Sequence, residues 1–260
     1  MKRGKEIKIL ANKHHKKTNR PIIIKVSGHE ISDKAFLRQF ATVIYNLSEP
    51  VIIVHGGGAE ISTMQQTLGI EPQYINGIRI TDERSMDVVS MVLAGLINKR
   101  VVQHLIAAGV DAWGISGVDN GLIRAREIQD YTGEVVSVKA AMLYKLLDQH
   151  ITPVIAPVCL GDATHGIYNV NADHVAGAIG ATINANKIIF ITNVPGVLKN
   201  GTLLKTLNAT QAQSLIADGT ISGGMIPKVQ TALHMLEMGI QQAVITDLDG
   251  LTSHGGTVIE

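Results

Sequence analysis

The sequence is poor in the residue types on which several protein classes depend. It has one cysteine among 260 residues, so no disulfide framework can form within the chain and a reducing, cytoplasmic environment is expected. Only 3% of the residues are aromatic, which leaves aliphatic side chains to build the core. No apolar run reaches the roughly 20 residues that a membrane-spanning helix needs. With 23 basic and 22 acidic residues, the chain has no general attraction to nucleic acid or membrane.

Short apolar runs typical of buried strands alternate with segments of helical spacing. Residues 22–26 and 51–54 are β-branched runs, and residues 82–107 carry the apolar spacing of one long helix. After residue 184 the alternation returns. Strands that alternate with helices predict an α/β fold, a three-layer αβα sandwich around a mainly parallel sheet, here in two lobes.

The chain is expected to divide into three parts. Residues 1–20 are basic and polar, and predict a solvated N-terminal arm. Residues 21–184 are expected to form an N-terminal lobe, and residues 185–260 a C-terminal lobe. Inside the first lobe, Asn76-Gly77 predicts the turn of a hairpin, and Thr132-Gly133 predicts the turn of a β-meander.

A run of three glycines, Gly56-Gly57-Gly58, stands between a predicted strand and a predicted helix. Glycine lets the backbone come close to a ligand, and the free N–H groups at a helix start suit phosphate. The run lacks the Lys-Ser/Thr ending of a P-loop, and Ile61 replaces the small residue of a dinucleotide fingerprint. Taken alone, it is as consistent with a tight strand–helix turn as with a phosphate site.

Two lysines occur where an anionic ligand would explain them. Lys25 lies at the C-terminal end of a buried strand, the edge at which open α/β sheets bind ligands, and Gly28 follows it. Lys228 lies early in a helix that follows Gly223-Gly224, where the helix dipole disfavours a cation. A phosphate would stabilise both lysines. The alternative for each is an ordinary lysine that extends to the surface.

Polar residues also cluster at the start of the helix predicted near residue 171. Asn169, Asn171 and Asp173 exceed what a helix cap requires, although a cap is the commonest use of such residues. They could orient lysines or bind a substrate carboxylate. The ten histidines are scattered without a zinc-binding spacing, so no protein-bound metal site is predicted.

Seven segments, in this order, resemble the amino acid kinase family, and the resemblance runs from about Ile22 to Ile259. The segments are Lys25-Val26-Ser27-Gly28, His55-Gly56-Gly57-Gly58, Asn76 to Thr81, Gly117 to Ala125, Asn169 to Asp173, Thr192 to Val197 and Gly223 to Lys228. The chain differs from the family pattern at Ser27, Val118 and Asn120, where Gly, Lys and Gly are usual.

The resemblance implies a role for each matching residue. Lys25 and Lys228 resemble the lysines that stabilise the transferring phosphoryl group, and Asp173 resembles the carboxylate that holds them. Substrate contacts are implied for four residues, which are Gly57, Gly58, Arg79 and Asn169. Nucleotide-side contacts are implied for seven, which are Gly28, Thr192, Asn193, Gly196, Gly223, Gly224 and Met225.

The resemblance further implies a kinase that moves the γ-phosphoryl group of ATP to a carboxylate, with N-acetyl-L-glutamate the expected acceptor, as in arginine biosynthesis. The resemblance also implies magnesium held mainly by ATP and water. It implies that the N-terminal lobe binds the acceptor and forms a homodimer, and that the C-terminal lobe binds the nucleotide. Two alternatives stay open. One is a kinase of lysine biosynthesis that acts on aminoadipate or glutamate carried on a small acidic protein, and the other is a non-catalytic amino acid or nucleotide sensor on the same fold.

Overall fold

A computed structural model describes residues 20–75, 78–163 and 165–260 of the chain. The basic arm expected for residues 1–20 lies outside this part, except for Arg20. In the described part no helix is both long and apolar enough to cross a membrane.

Fifteen strands are distributed along the described residues, from Ile22 to Ile259. They are β1 (Ile22–Val26), β2 (Val51–His55), β3 (Gln73–Ile75), β4 (Ile78–Ile80), β5 (Ala112–Gly117), β6 (Ile123–Gln129), β7 (Thr132–Val138), β8 (Thr152–Gly161), β9 (Ile167–Val170), β10 (Ile188–Ile191), β11 (Leu198–Lys199), β12 (Thr202–Leu203), β13 (Thr206–Leu207), β14 (Ala243–Thr246) and β15 (Thr257–Ile259).

Helices connect most of these strands. They are α1 (Gly28–Ile31), α2 (Lys34–Asn46), α3 (Gly58–Thr67), α4 (Glu83–Ser90), α5 (Asn98–Ala107), α6 (Ala140–Asp148), α7 (Ala172–Ile183), α8 (Ala209–Ala217), α9 (Met225–Glu237) and α10 (Leu248–Ser253). A π-helical segment, Met91–Ile97, joins α4 to α5, and a 3-10 turn, Asp119–Gly121, follows β5.

One sheet of 11 strands forms the middle of the protein. Its central strands β14, β10, β1, β2 and β8 are parallel, each to its neighbour. Antiparallel pairs occur toward the sides, between β6 and β7, β8 and β9, and β14 and β15. The α/β class and the mainly parallel sheet predicted from the sequence are confirmed.

The two faces of the sheet carry separate apolar cores, because successive side chains of a strand point to opposite faces. On β1, Ile23 packs in a core with buried residues of α6 to α9. Its neighbours Ile22 and Ile24 pack in the other core, with α2 to α5 and α10. Burying one such side chain contributes roughly 1.5–3 kcal/mol, so this strand is held firmly from both sides. Helices therefore cover both faces of the sheet, which gives the three predicted layers.

Three local predictions have different outcomes. The hairpin is confirmed, since β3 pairs antiparallel with β4. The long helix at 82–107 is interrupted by the π-helical segment. The turn placed at Thr132-Gly133 is wrong, because both residues lie in β7 and the chain reverses at Asp130, where φ is 49°. Gly133 is needed for another reason: a Cβ there would lie 2.8 Å from the Cβ of Tyr168.

Candidate active site

A cleft of about 300 Å³ lies beside the C-terminal ends of β1 and β2. Six of the predicted site residues line it, namely Lys25, Gly28, Gly57, Gly58, Arg79 and Asn169. They come from segments that are far apart in the chain and meet at one edge of the sheet, as expected for ligand sites in parallel sheets. Among the described residues that line this cleft, none is Asp, Glu or His.

A partly buried ion pair lies next to the cleft. The Nζ atom of Lys25 is 2.9 Å from Oδ1 of Asp173, and the side chains are only 16% and 23% exposed. Oδ1 is buried and forms no hydrogen bond, so the contact is ionic and its geometry is poor for a hydrogen bond. Asp173 stands in the first turn of α7, where the helix dipole favours an anion. Asn171 caps the same helix by accepting from the Asp173 N–H at 2.8 Å.

The glycine segment forms the floor of the cleft. Gly56 donates its N–H to the Val26 carbonyl at 3.0 Å, which ties the loop after β2 to the end of β1. A Cβ on Gly28 would lie 2.7 Å from the Cα of Gly57, so only glycine allows these two loops to approach so closely. In the described part of the chain, the N–H groups of Gly57 and Gly58 have no protein acceptor. They are therefore available to an anionic ligand.

Arg79 is held at the side of the cleft by several acceptors. Its guanidinium donates to the Gly58 carbonyl at 2.8 Å and to Ser62 Oγ at 2.7 Å. It also donates to Gln65 Oε1 at 2.6 Å and to the hydroxyl of Tyr74, whose ring lies 4.8 Å from the guanidinium carbon. Partial burial lowers the pKa of Arg79, and Tyr74 partly opposes the shift. The cation is thus oriented before any ligand arrives.

The residues that orient Arg79 were missed by the sequence analysis. Tyr74 lies opposite Arg79 in the register of β3 and β4, so the predicted hairpin contained a usable signal. Gln65 is buried in α3 and donates to Ser85 Oγ at 2.8 Å, a contact between residues 20 positions apart. No local pattern predicts such a contact.

Asn169 is a further polar residue of the cleft. Its side chain donates to Thr81 Oγ1 at 3.0 Å. Thr132 lies nearby and donates its hydroxyl to the Arg79 carbonyl at 3.0 Å, while it accepts from the Thr81 N–H at 3.1 Å. These bonds connect β9, β7 and the end of β4, and they hold Arg79 and Asn169 on the same side of the cleft.

The described residues that line this cleft include Gly28 but neither Lys228 nor the remaining six predicted nucleotide-side residues. The Lys228 ammonium is 3.4 Å from the Gly224 carbonyl, and among the described residues it forms no ion pair. The structure thus brings Asp173 to Lys25 and not to Lys228. Thr192 and Asn193 line a second cavity of about 340 Å³, at the end of β10.

Three glycines and Met225 complete the predicted nucleotide side. Gly223 has a φ of 54°, and a Cβ on Gly223 or Gly224 would meet no atom within 4 Å, so the loop before α9 is open. Gly196 has a φ of 145°, and a Cβ there would lie 2.6 Å from Thr257 Oγ1. Met225 begins α9. Backbone conformation therefore requires glycine at position 196 and favours it at position 223, whether or not either residue contacts a ligand.

The family model and the named relatives point to the same protein family. The model of the amino acid kinase family matches residues 20–247. Acetylglutamate kinase from Roseiflexus castenholzii is 45% identical over 92% of this chain and 93% of its own length. Acetylglutamate kinase from Methanopyrus kandleri is 41% identical over 91% of this chain and 99% of its own. Among solved structures, smu.665 from Streptococcus mutans UA159 has a TM-score of 0.75 at 28% identity, covering 92% of this chain and 98% of that one.

Proposed function

The chain belongs to the amino acid kinase family, and from that premise we propose that it is an acetylglutamate kinase, which transfers the γ-phosphoryl group of ATP to the side-chain carboxylate of N-acetyl-L-glutamate. Relatives of that name match more than nine-tenths of the chain. The products would be an acyl phosphate and ADP.

The charge of the cleft is the observation that carries this proposal. Lys25 and Arg79 line it, while none of its described lining residues is acidic or a histidine. Such a cleft attracts anions but lacks a general base in its wall. A carboxylate acceptor needs none, because an unperturbed glutamate side chain has a pKa of about 4.3 and is already ionised at neutral pH. A hydroxyl acceptor would need a group to remove its proton.

Each residue then has a distinct part in the reaction. Phosphoryl transfer requires mainly positioning and neutralisation of charge. Arg79 and Asn169 hold the α-carboxylate of the acceptor, and Lys25, held by Asp173, stabilises the phosphoryl group as it moves. The N–H groups of Gly57 and Gly58 donate to the same group. Lys228 reaches the phosphates from the other side, after its ammonium leaves the Gly224 carbonyl.

We propose that the nucleotide enters as its magnesium complex. The described residues hold no group of three or more His, Cys, Asp or Glu that could bind a metal ion, so the phosphates and water would supply most of the magnesium ligands. The nucleotide would lie against Thr192, Asn193 and the loop before α9, in the C-terminal lobe. We also propose a cytoplasmic location, which the use of ATP and the buried, unpaired Cys159 support.

Trapping the product tests the proposed function directly. Purified protein is mixed with ATP, magnesium and hydroxylamine, which converts an acyl phosphate to a hydroxamate. We expect hydroxamate with N-acetyl-L-glutamate and little with free glutamate or N-acetyl-aspartate. A carrier-linked aminoadipate supplies the third arm. Product from the carrier-linked acceptor alone would replace the proposed substrate, and no product from any acceptor would favour a sensor.

Exchanging Arg79 for lysine should affect the acceptor and not the nucleotide. Lysine keeps the positive charge but loses the planar fork that grips a carboxylate through two hydrogen bonds. We expect Arg79→Lys to raise the KM for N-acetyl-L-glutamate at least about tenfold, equivalent to about 1.4 kcal/mol, with the KM for ATP nearly constant. The matched control is Arg126→Lys, at an exposed ion pair with Glu134. Equal damage to both KM values would show a structural role.

We propose that two copies associate through the N-terminal lobe. Large apolar side chains are exposed on the π-helical segment and on β5, with Met91, Leu96 and Trp113 at 57%, 46% and 52%. In the described part of the chain, β5 pairs only with β8, so its other edge is open. An open edge with apolar neighbours is a surface that proteins usually cover.

Light scattering tests the proposed homodimer. We expect a mass of twice the 27.8 kDa of the chain, and a shift toward the monomer in Leu96→Glu, because a buried unpaired carboxylate disfavours association. Leu198→Glu changes an exposed leucine of β11 in the C-terminal lobe and should leave the dimer intact. A wild-type monomer at micromolar concentration would contradict the proposal.

A further inference from the structure

Two fully buried polar side chains lie behind the glycine segment, and the reaction described above does not use them. His55 is the last residue of β2, and Asn98 is the first residue of α5, directly after the π-helical segment. Both have a relative exposure of 0%. Polar groups so deeply buried are unfavourable unless they are hydrogen-bonded, so their partners show what they hold in place.

The contacts of His55 define its protonation. Nδ1 lies 3.0 Å from the Gly56 carbonyl oxygen, which can only accept, so Nδ1 carries a proton. Nε2 lies 3.2 Å from the Asn98 amide nitrogen, which can only donate, so Nε2 has none. Burial, with a smaller effect of the nearby Lys99 cation, lowers the pKa of His55 to about 4. The ring is therefore neutral, with its proton on Nδ1.

Asn98 cannot reverse its amide group. Its nitrogen also donates to the Val154 carbonyl at 2.9 Å, and its oxygen accepts from the Lys99 ammonium at 3.0 Å. Lys99 in turn donates to the Gly114 carbonyl at 2.8 Å. A reversed amide would place oxygen against oxygen at Val154 and nitrogen against ammonium at Lys99. The donor that faces His55 Nε2 is thus fixed by β8 and β5.

The Gly56 carbonyl sets the direction of the next N–H. The described chain has no cis peptide bond, so the Gly57 N–H points away from the Gly56 carbonyl across a planar unit. Because His55 holds that carbonyl on the interior side, the planar unit turns the Gly57 N–H to the opposite side. Gly57 is also one of the residues that line the cleft. Leu93 and Ile97 of the π-helical segment pack against Gly57.

We propose that His55, kept in its Nδ1–H form by Asn98, is a positioning residue that aims the Gly57 N–H at the phosphoryl group in transfer. This rests on the proposed function. His55 does not touch the substrate and gives up no proton. Its part is to hold one peptide unit rigid, so that the donor is already in place when negative charge develops on the moving group.

Two substitutions at His55 separate positioning from packing. Asparagine places an N–H donor at the δ position, where histidine has Nδ1, whereas leucine has a similar reach and no donor. We expect His55→Leu to lower kcat about 10²-fold, because the oriented donor is lost. His55→Asn keeps a donor and should retain a kcat within about tenfold of wild type. The KM values should change little, since the donor matters most in the transition state. Equal losses in both variants, or a wild-type kcat in His55→Leu, would overturn the proposal.

A measurement on the wild-type protein covers the case in which His55→Leu does not fold. Nitrogen-15 NMR of the histidine rings distinguishes the two neutral tautomers, and we expect the Nδ1–H form of His55 to persist to about pH 5. An Nε2–H tautomer in an active enzyme would overturn the positioning role and leave the proposed function standing. A wild-type protein without kinase activity would instead remove the proposed function and this role with it.

Discussion

Replacing Lys228 with alanine is expected to lower kcat by about 10²–10³-fold, with a much smaller rise in the KM for ATP. Lys228 stands in the first turns of α9, where the helix dipole repels a cation. Its ammonium lies 3.4 Å from the carbonyl of Gly224, which immediately precedes the helix, and has no carboxylate partner among the described residues. A cation placed so unfavourably gains most when negative charge develops on a phosphoryl group beside it.

The control for this experiment is another helical lysine. Lys145 is exposed on α6 and lines none of the cavities discussed above, so Lys145→Ala should leave both constants unchanged. Steady-state kinetics with ATP varied at saturating acceptor gives the two values for each variant. If Lys228→Ala keeps the wild-type kcat, Lys228 is a surface lysine and the proposed arrangement of cations is wrong.

Replacing Asp173 with asparagine should also lower kcat strongly, by about 10²-fold, while the protein still folds. The change keeps the shape of the side chain but removes the negative charge 2.9 Å from the Lys25 ammonium. Lys25 would lose the group that holds it beside the cleft. The cap of α7 by Asn171 uses the backbone N–H of residue 173 and survives the substitution.

The pH dependence distinguishes an organising carboxylate from a proton acceptor. If Asp173 only orients Lys25, the kcat of Asp173→Asn falls by the same factor at each pH, and the shape of the profile is retained. If Asp173 removes a proton in the reaction, the limb of the profile that reports its ionisation disappears. Asp87→Asn, at an exposed acid of α4, is the control and should match wild type throughout.

The parts of the fold that follow from hydrophobic periodicity could be predicted from the sequence. The central strands are continuous β-branched runs, and their burial on both faces leaves few alternatives to a parallel sheet. The turn at Thr132-Gly133 was misplaced because glycine occurs both in turns and in strands that pack closely against a large side chain. At Gly133 the purpose is close packing against Tyr168, which depends on a strand 35 positions away.

The candidate site could be predicted only as far as its local motifs reach. Lys25, the three glycines and Arg79 lie in recognisable segments, and the structure places them around one cleft. His55 and Gly56 lie in one of these segments, but the hydrogen-bond network from Asn98 through His55 to Gly56 left no such signal. It joins residues 43 positions apart, and its geometry depends on a π-helical segment that no periodicity predicts. Side-chain pairing over such distances is a property of the packed structure.

The central position of β1 determines how the protein could be divided into fragments. It pairs with β2 on one side and with β10 on the other, so the proposed boundary near residue 184 separates two halves of a single sheet. A cut in the connection between α7 and β10 would expose apolar edges on both fragments, which would aggregate if expressed apart. If the two fragments are co-expressed, we expect them to associate by pairing β1 with β10 and to restore the active enzyme. The chain is therefore suited to a split reporter, in which enzyme activity reports that the two fragments have associated.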